Sequence, residues 1–143
     1  MNFKNKEIKV LKGYVSNNIF GPYSLPVKQQ NQILRYYCEQ KKKIYALPHA
    51  EPIFSRTFIQ LKSLIIDLKC NEGVIMSSFH MLPNDKSLRH LIYNMALKKK
   101  SEIHFAFEEI IADRKEVFFS IEDNFKYLDY TKNSKFIYEN LKK

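Results

Sequence analysis

GVIMSSF, residues 73–79, is an apolar run without polar alternation, closed off by the turn formers Leu82-Pro83-Asn84-Asp85. A strand of this kind is buried on both faces, as in a parallel sheet covered by helices. On each side of it the apolar spacing changes to a helical period. Upstream, Phe54, Phe58, Leu61, Ile65 and Leu68 make one stripe of a helix running from about Ile53 to Lys69. Downstream, Leu88, Leu91, Ile92, Met95 and Ala96 make another, with Asn84 or Asp85 as its N-cap.

Working outward, IKVLKGYV (Ile8 to Val15) reads as the first strand. VKQQNQILRYYCEQ, residues 27–40, follows as a helix behind Pro26, a residue suited to a first turn. KIYALP (Lys43 to Pro48) is a short second strand and EIHFAFEE, residues 102–109, a fourth. After Ile111 the pattern weakens. EVFFSIED reads as a fifth strand or an irregular return, and KNSKFIYENLKK as a short C-terminal helix. Alternating strands and helices predict an α/β three-layer sandwich around a mainly parallel sheet of four to five strands, flavodoxin-like or resolvase-like. At 143 residues the chain is expected to be one domain, 1–143, with 112–143 as a C-terminal extension.

The charge is uneven in kind. Lys and Arg total 24 against 15 Asp and Glu, for a net charge of +9. Six of the Lys are Lys41-Lys42-Lys43 and Lys98-Lys99-Lys100, at predicted helix C-termini where the helix dipole favours cations. The Arg are few: Arg56 and Arg89 open predicted helices, Arg114 follows a strand and Arg35 lies in the first helix. The Lys runs are explained by solvated helix ends, so the basicity predicts no specific nucleic-acid partner. No apolar run is long enough for a membrane span and no signal-peptide core is present, so a soluble, cytoplasmic protein is expected. Cys38 and Cys70, in predicted helices, are expected to be reduced. There is no CxxC, no HExxH and no metal spacing among the four His, and no cofactor motif.

Ligands of open parallel sheets bind outside the carboxyl ends of the strands. Those ends carry Ser16, Asn17 and Asn18, then His49 and Glu51, then Ser77, Ser78 and His80, then Glu108 and Glu109. The serines either fill tight strand ends or bond a ligand. Glu51 is either a helix N-terminal acid or a general acid or base. Of Glu108 and Glu109, adjacent on a strand, one must turn inward and needs a partner, for which Arg114, Arg56 or Arg89 is available. Arg56 and Arg89 either pair with such a Glu or hold an anion beside helix N–H groups. The 11-residue connection SNNIFGPYSLP is long and carries Phe20 and Tyr23; with Tyr14, these cover the end of the core or stack on a sugar or base.

KGYVSNNIFG, VKQQNQILRYYCEQ, AEPIFSRTFIQL, GVIMSSFHMLPND followed by Arg89, and EIHFAFEE together resemble the sporadic carbohydrate cluster protein family, over roughly residues 10–125. That family is encoded among bacterial surface-polysaccharide genes and has no established activity. The resemblance marks Ser16, Gln30, Asn31, Arg35, Glu51, Ser77, Pro83, Arg89 and Glu108; Asn17 stands where the family usually has Arg. GYVSNN and SFHMLP also resemble the serine recombinase catalytic domain, with Val15 where that family has Arg and His80-Met81 where it has Asp-Arg, so the machinery for DNA cleavage is missing.

The resemblance implies a small protein of surface-carbohydrate biosynthesis. It is expected to bind or transform an anionic sugar (a nucleotide-sugar, sugar phosphate or sugar acid) at the C-terminal sheet edge. Catalytic candidates are Glu51, Glu108, Ser16, Ser77 and His80. Substrate-binding candidates are Arg56, Arg89, Arg35, Asn17, Gln30, Asn31 and Ser78. The alternative is a non-catalytic binding or scaffolding module for biosynthetic enzymes, with the Lys-rich and aromatic C-terminal segment as its interface. A homodimer is expected in either case.

Overall fold

The computed structural model describes residues 7–17, 19–51 and 58–141. It divides into two compact units, Met1–Asp113 and Arg114–Lys143. The first contains β1 (Val10–Ser16), α1 (Val27–Gln40), β2 (Ile44–Glu51), α2 (Ile59–Ile66), β3 (Glu72–Met76), a single 3₁₀ turn (Phe79–Met81), α3 (Lys86–Lys98), β4 (Ile103–Phe105) and β5 (Ile110–Ala112). The five strands form one sheet in the order β2-β1-β3-β4-β5. β1 pairs in parallel with β2 and β3, and β3 in parallel with β4; β5 runs antiparallel to β4. This is the flavodoxin-type order with its last strand reversed.

All five residues of β3 are buried, as the unbroken apolar run requires of a strand flanked on both sides. Side chains alternate across the sheet. Ile75 joins Leu11, Val15, Leu34, Tyr37 and Cys38 in a core against α1, and α2 packs on β2, β3 and α3. Leu11 and Leu34 are fully enclosed there, so truncating either to Ala costs about 2–5 kcal/mol.

β2 continues past Pro48 to Glu51, three residues beyond its expected end. It is an edge strand, and the register slips between the pairs Lys12↔Ala46 and Tyr14↔His49. The extra residue on β2 falls beside Pro48, which has no ladder N–H to give, and an edge bulge accommodates it. The slip brings Glu51 opposite Ser16. β4 is shorter than expected: it stops at Phe105, and Ala106–Glu109 form a four-residue turn into β5, with Glu109 left-handed at φ 54°. The predicted second helix overlaps α2, which follows a left-handed Phe58; the start expected at Ile53 lies outside the described residues. Cys70 falls in a turn after α2 and is exposed, whereas Cys38 is buried in α1.

Both Lys triplets close helices by the same device. Lys42 and Lys100 are left-handed, at φ 56° and 54°. The Lys43 N–H donates to the Cys38 carbonyl and the Lys42 N–H to Glu39; the Ser101 N–H donates to Ala96 and the Lys100 N–H to Leu97. These are Schellman closures built without glycine. Lys99 Nζ donates to the Ile66 carbonyl at 2.6 Å, a C-terminal carbonyl of α2, as the helix dipole favours.

The second unit is a single helix, α4 (Lys115–Leu141), of 27 residues. It replaces both the fifth strand expected at EVFFSIED and the short terminal helix. The local β-formers Val117, Phe118 and Phe119 suggested extension, but Phe118, Ile121 and Phe125 recur at the helical period. Among the described residues no helix is long and apolar enough to cross a membrane.

Candidate functional site

The chain leaves β1 toward β2 on one side and returns over it to β3 on the other, so the strand order reverses between β1 and β3. Crevices at such reversals, at the carboxyl ends of the strands, are where open α/β sheets bind ligands. Here the crevice is bounded by Ser16 and Asn17 on one arm and by Ser77 and Ser78 on the other.

The β1 arm is fixed by α1. Gln30, wholly buried, accepts from the Ser16 N–H through Oε1 at 3.1 Å and donates through Nε2 to the Ser16 and Leu25 carbonyls, both at 2.7 Å. Asn17 follows on the surface. Glu51, at the end of β2, is also buried. Its Oε2 accepts from the Tyr14 hydroxyl at 3.0 Å and from the Leu61 N–H at 3.3 Å, and its Oε1 from the Gln60 N–H at 3.3 Å. Glu51 therefore caps the first turn of α2. Burial, reinforced by the neighbouring carboxylate, holds the Tyr14 hydroxyl far above its ordinary range, so it remains a donor.

The β3 arm is more open in its bonding. Ser78 Oγ donates to Glu108 Oε1 at 2.5 Å and accepts from the His80 N–H at 3.1 Å, capping the 3₁₀ turn. The partner of the inward carboxylate is thus a serine hydroxyl rather than the expected Arg. Glu109, in the left-handed turn position, is exposed. On this arm two buried polar atoms have no hydrogen-bond partner among the described residues: Ser77 Oγ, in a fully buried residue, and Glu108 Oε2. The main chains that carry them are joined, since the Phe107 N–H donates to the Ser77 carbonyl at 2.8 Å.

The long loop after β1 lies over this arm. Phe20 and Tyr23 pair as an isolated antiparallel bridge. The Tyr23 ring stands 4.9 Å from Phe107 and 5.9 Å from His80, centroid to centroid. Gly21, at φ 56°, passes so close that an added Cβ would lie 2.6 Å from His80 Cγ. Burial lowers the His80 pKa, partly offset by Glu108.

The remaining candidates separate. Arg89 is buried in α3, and its Nη1 donates to the carbonyls of Pro83 at 3.1 Å and Asn84 at 2.8 Å, pinning the turn that Asp85 caps through the Ser87 N–H. Arg56 lies outside the described residues. Asn31 and Arg35 sit on the flank of α1 beside β2, at Tyr45, whereas Gln30 of the same helix holds Ser16. Sequence reasoning missed Phe107, an aromatic wall flanking Glu108 whose neighbour in sequence was the available clue. It also missed Tyr45, whose role depends on strand register and left no local signal.

No protein-family model matches the chain. No curated protein matches it either. Among solved structures, the N-terminal catalytic domain of TP901-1 integrase is similar, with a TM-score of 0.59 and 14% identity over 86% of this chain and 97% of that one. At that identity the likeness shows the fold: a resolvase-like α/β domain, as the serine recombinase resemblance implied.

Proposed function

We propose that the crevice at the ends of β1 and β3 binds a carbohydrate, in keeping with the sporadic carbohydrate cluster resemblance and a role in surface-polysaccharide biosynthesis. The observation that carries this reading is the pair of buried unpartnered atoms, Glu108 Oε2 and Ser77 Oγ. A buried polar atom without a partner costs about 1–3 kcal/mol, a cost that a ligand hydroxyl removes. A carboxylate oxygen accepts from a sugar hydroxyl, and Tyr23 and Phe107 offer ring faces to its C–H surface. Glu108 and the neutral His80 are the acid–base candidates. Glu51 and Arg89 are frame residues, one holding α2 and Tyr14, the other the Pro83–Asn84 turn. An anionic sugar fits with its hydroxyls in the crevice and its charge in the field of a protein of net charge +9.

Thermal-shift measurements against neutral sugars, sugar phosphates, nucleotide-sugars and sugar acids test this, because a bound ligand raises the apparent Tm. A shift lost in Glu108→Gln or Ser77→Ala supports the reading. No shift with any class, in a folded protein, overturns it.

A second reading, a non-catalytic scaffolding module, is favoured by α4. Phe119, Tyr127, Tyr130 and Leu141 are exposed, and at helical pitch they fall within about 80° of arc. Such a stripe suits a partner enzyme or a second copy of the chain. Light scattering of the full chain, with and without Tyr127→Ser and Tyr130→Ser, tests self-association.

A further inference from the structure

We propose that the flank of α1 beside β2 is a second ligand site, separate from the crevice, that takes a phosphate monoester of a small organic molecule. Val27, Lys28, Asn31, Gln32 and Arg35 line an open groove of about 480 Å³ along α1. At helical spacing these five share one face. Gln30 points the other way, into the Ser16 clamp, so one helix serves two places.

Two of the lining side chains, Asn31 and Arg35, are held from behind by Tyr45 of β2, which does not itself line the groove. The Tyr45 hydroxyl donates to Asn31 Oδ1 at 2.7 Å, and the Arg35 guanidinium lies 5.9 Å from the Tyr45 ring centroid. Burial pushes the Tyr45 hydroxyl up to about 12, so it stays protonated and keeps donating. With its oxygen engaged, Asn31 has its amide nitrogen left to donate, and no partner for that nitrogen occurs among the described residues. Arg35 and Lys28 likewise have no carboxylate partner among them. The Tyr45 ring lies over Gly13, where an added Cβ would come 2.6 Å from the Tyr45 hydroxyl oxygen, so the missing side chain at Gly13 leaves the room from which Tyr45 holds Asn31.

Two unpaired cations match the charge of a phosphate monoester, about −1.5 to −2 at neutral pH. Arg supplies a planar fork for two phosphate oxygens, Lys a point charge, and the amides neutral donors. Val27 gives the organic part an apolar wall.

The test is a titration of the ¹⁵N-labelled full chain with glucose 1-phosphate, glucose and inorganic phosphate at physiological salt, followed by amide shifts. Glucose 1-phosphate is expected to move amides of residues 27–35, with glucose having no effect and inorganic phosphate a weaker one. Arg35→Gln and Lys28→Gln, both on the surface, should each weaken binding by about tenfold or more, the loss of one charge-assisted contact. Glu108→Gln should leave it unchanged, which separates this site from the crevice. The proposal is overturned if no shift appears in residues 27–35. It is equally overturned if Lys86→Gln, remote from the groove, weakens binding as much as Arg35→Gln, since that is the mark of general charge attraction.

Discussion

Gln30 holds both main-chain polar groups of Ser16, accepting from its N–H at 3.1 Å and donating to its carbonyl at 2.7 Å. A side-chain amide here does what a neighbouring strand would do, extending the sheet by one peptide unit where β1 ends. Gln30→Ala removes these buried hydrogen bonds and should cost about 1–3 kcal/mol in urea unfolding. Gln30→Glu keeps the size but loses the donor and buries a charge, so it should cost more. Equal stability of the two variants would refute the clamp.

The Tyr14–Glu51 bond ties β1 to the start of α2. Tyr14→Phe should lower stability by about 1–2 kcal/mol. In a double-mutant cycle with Glu51→Gln, the two changes should be non-additive, because they share one contact. Additive losses would mean that the hydroxyl and the carboxylate act independently.

Lys42 and Lys100 occupy left-handed positions that cost a side-chain-bearing residue about 1–2 kcal/mol. Lys42→Gly and Lys100→Gly should each stabilise the protein by roughly 0.5–1 kcal/mol, the remainder being lost to the greater freedom of the unfolded glycine chain. The sites lie on different helices, so the gains should add. Destabilisation by either substitution would count against these closures.

His80 gives a pH dependence with a definite sign. Its folded pKa lies below the ordinary 6.5, so the unfolded chain binds the proton more readily. The stability associated with neutral His80 is complete above 6.5 and is lost as pH falls through that value toward the folded pKa. Denaturant midpoints measured from pH 7.5 to pH 5 should fall less steeply in His80→Gln than in the parent. Glu108→Gln removes the offsetting charge, so an imidazole titration followed by NMR should move further down; an upward shift would contradict the arrangement.

Burial pushes the Cys38 thiol up to about 11, and Cys70 is exposed. Native protein treated with iodoacetamide at pH 7.5 should be alkylated at Cys70 first. Cys38 should react only on unfolding. Comparable rates in the folded state would show that α1 opens locally.

The strand–helix alternation was legible because it rests on periodicity, which GVIMSSF and the stripes of α1 and α3 display without reference to distant residues. Three features were not legible, for a shared reason. Pro48 looks like a strand terminator until β2 is known to be an edge strand that can bulge. Ala106-Phe107-Glu108-Glu109 contains no Gly or Asn, so its turn is fixed by the β4–β5 pairing and not by turn chemistry. EVFFSIED favours extension locally and is helical only over a longer window. At the site, Ser16, Ser77, Ser78 and Glu108 could be located from strand ends alone. The engagement of Glu51 with α2, and the departure of Asn31 and Arg35 to the β2 flank of α1, depend on register and helix rotation.

The reversal of β5 also bears on the order in which the molecule assembles. β4 and β5 are joined by four residues, whereas each parallel pairing must wait for a crossover through a helix. Hairpins close in roughly 1–10 μs, and pairings distant in sequence form later. Glu108 therefore belongs to the fastest-closing piece of the sheet, and the serines of β1 and β3 reach it only when slow, long-range closure is complete. A nascent or partly folded chain would hold the carboxylate in its turn and yet have no crevice, so binding there would report the completed sheet.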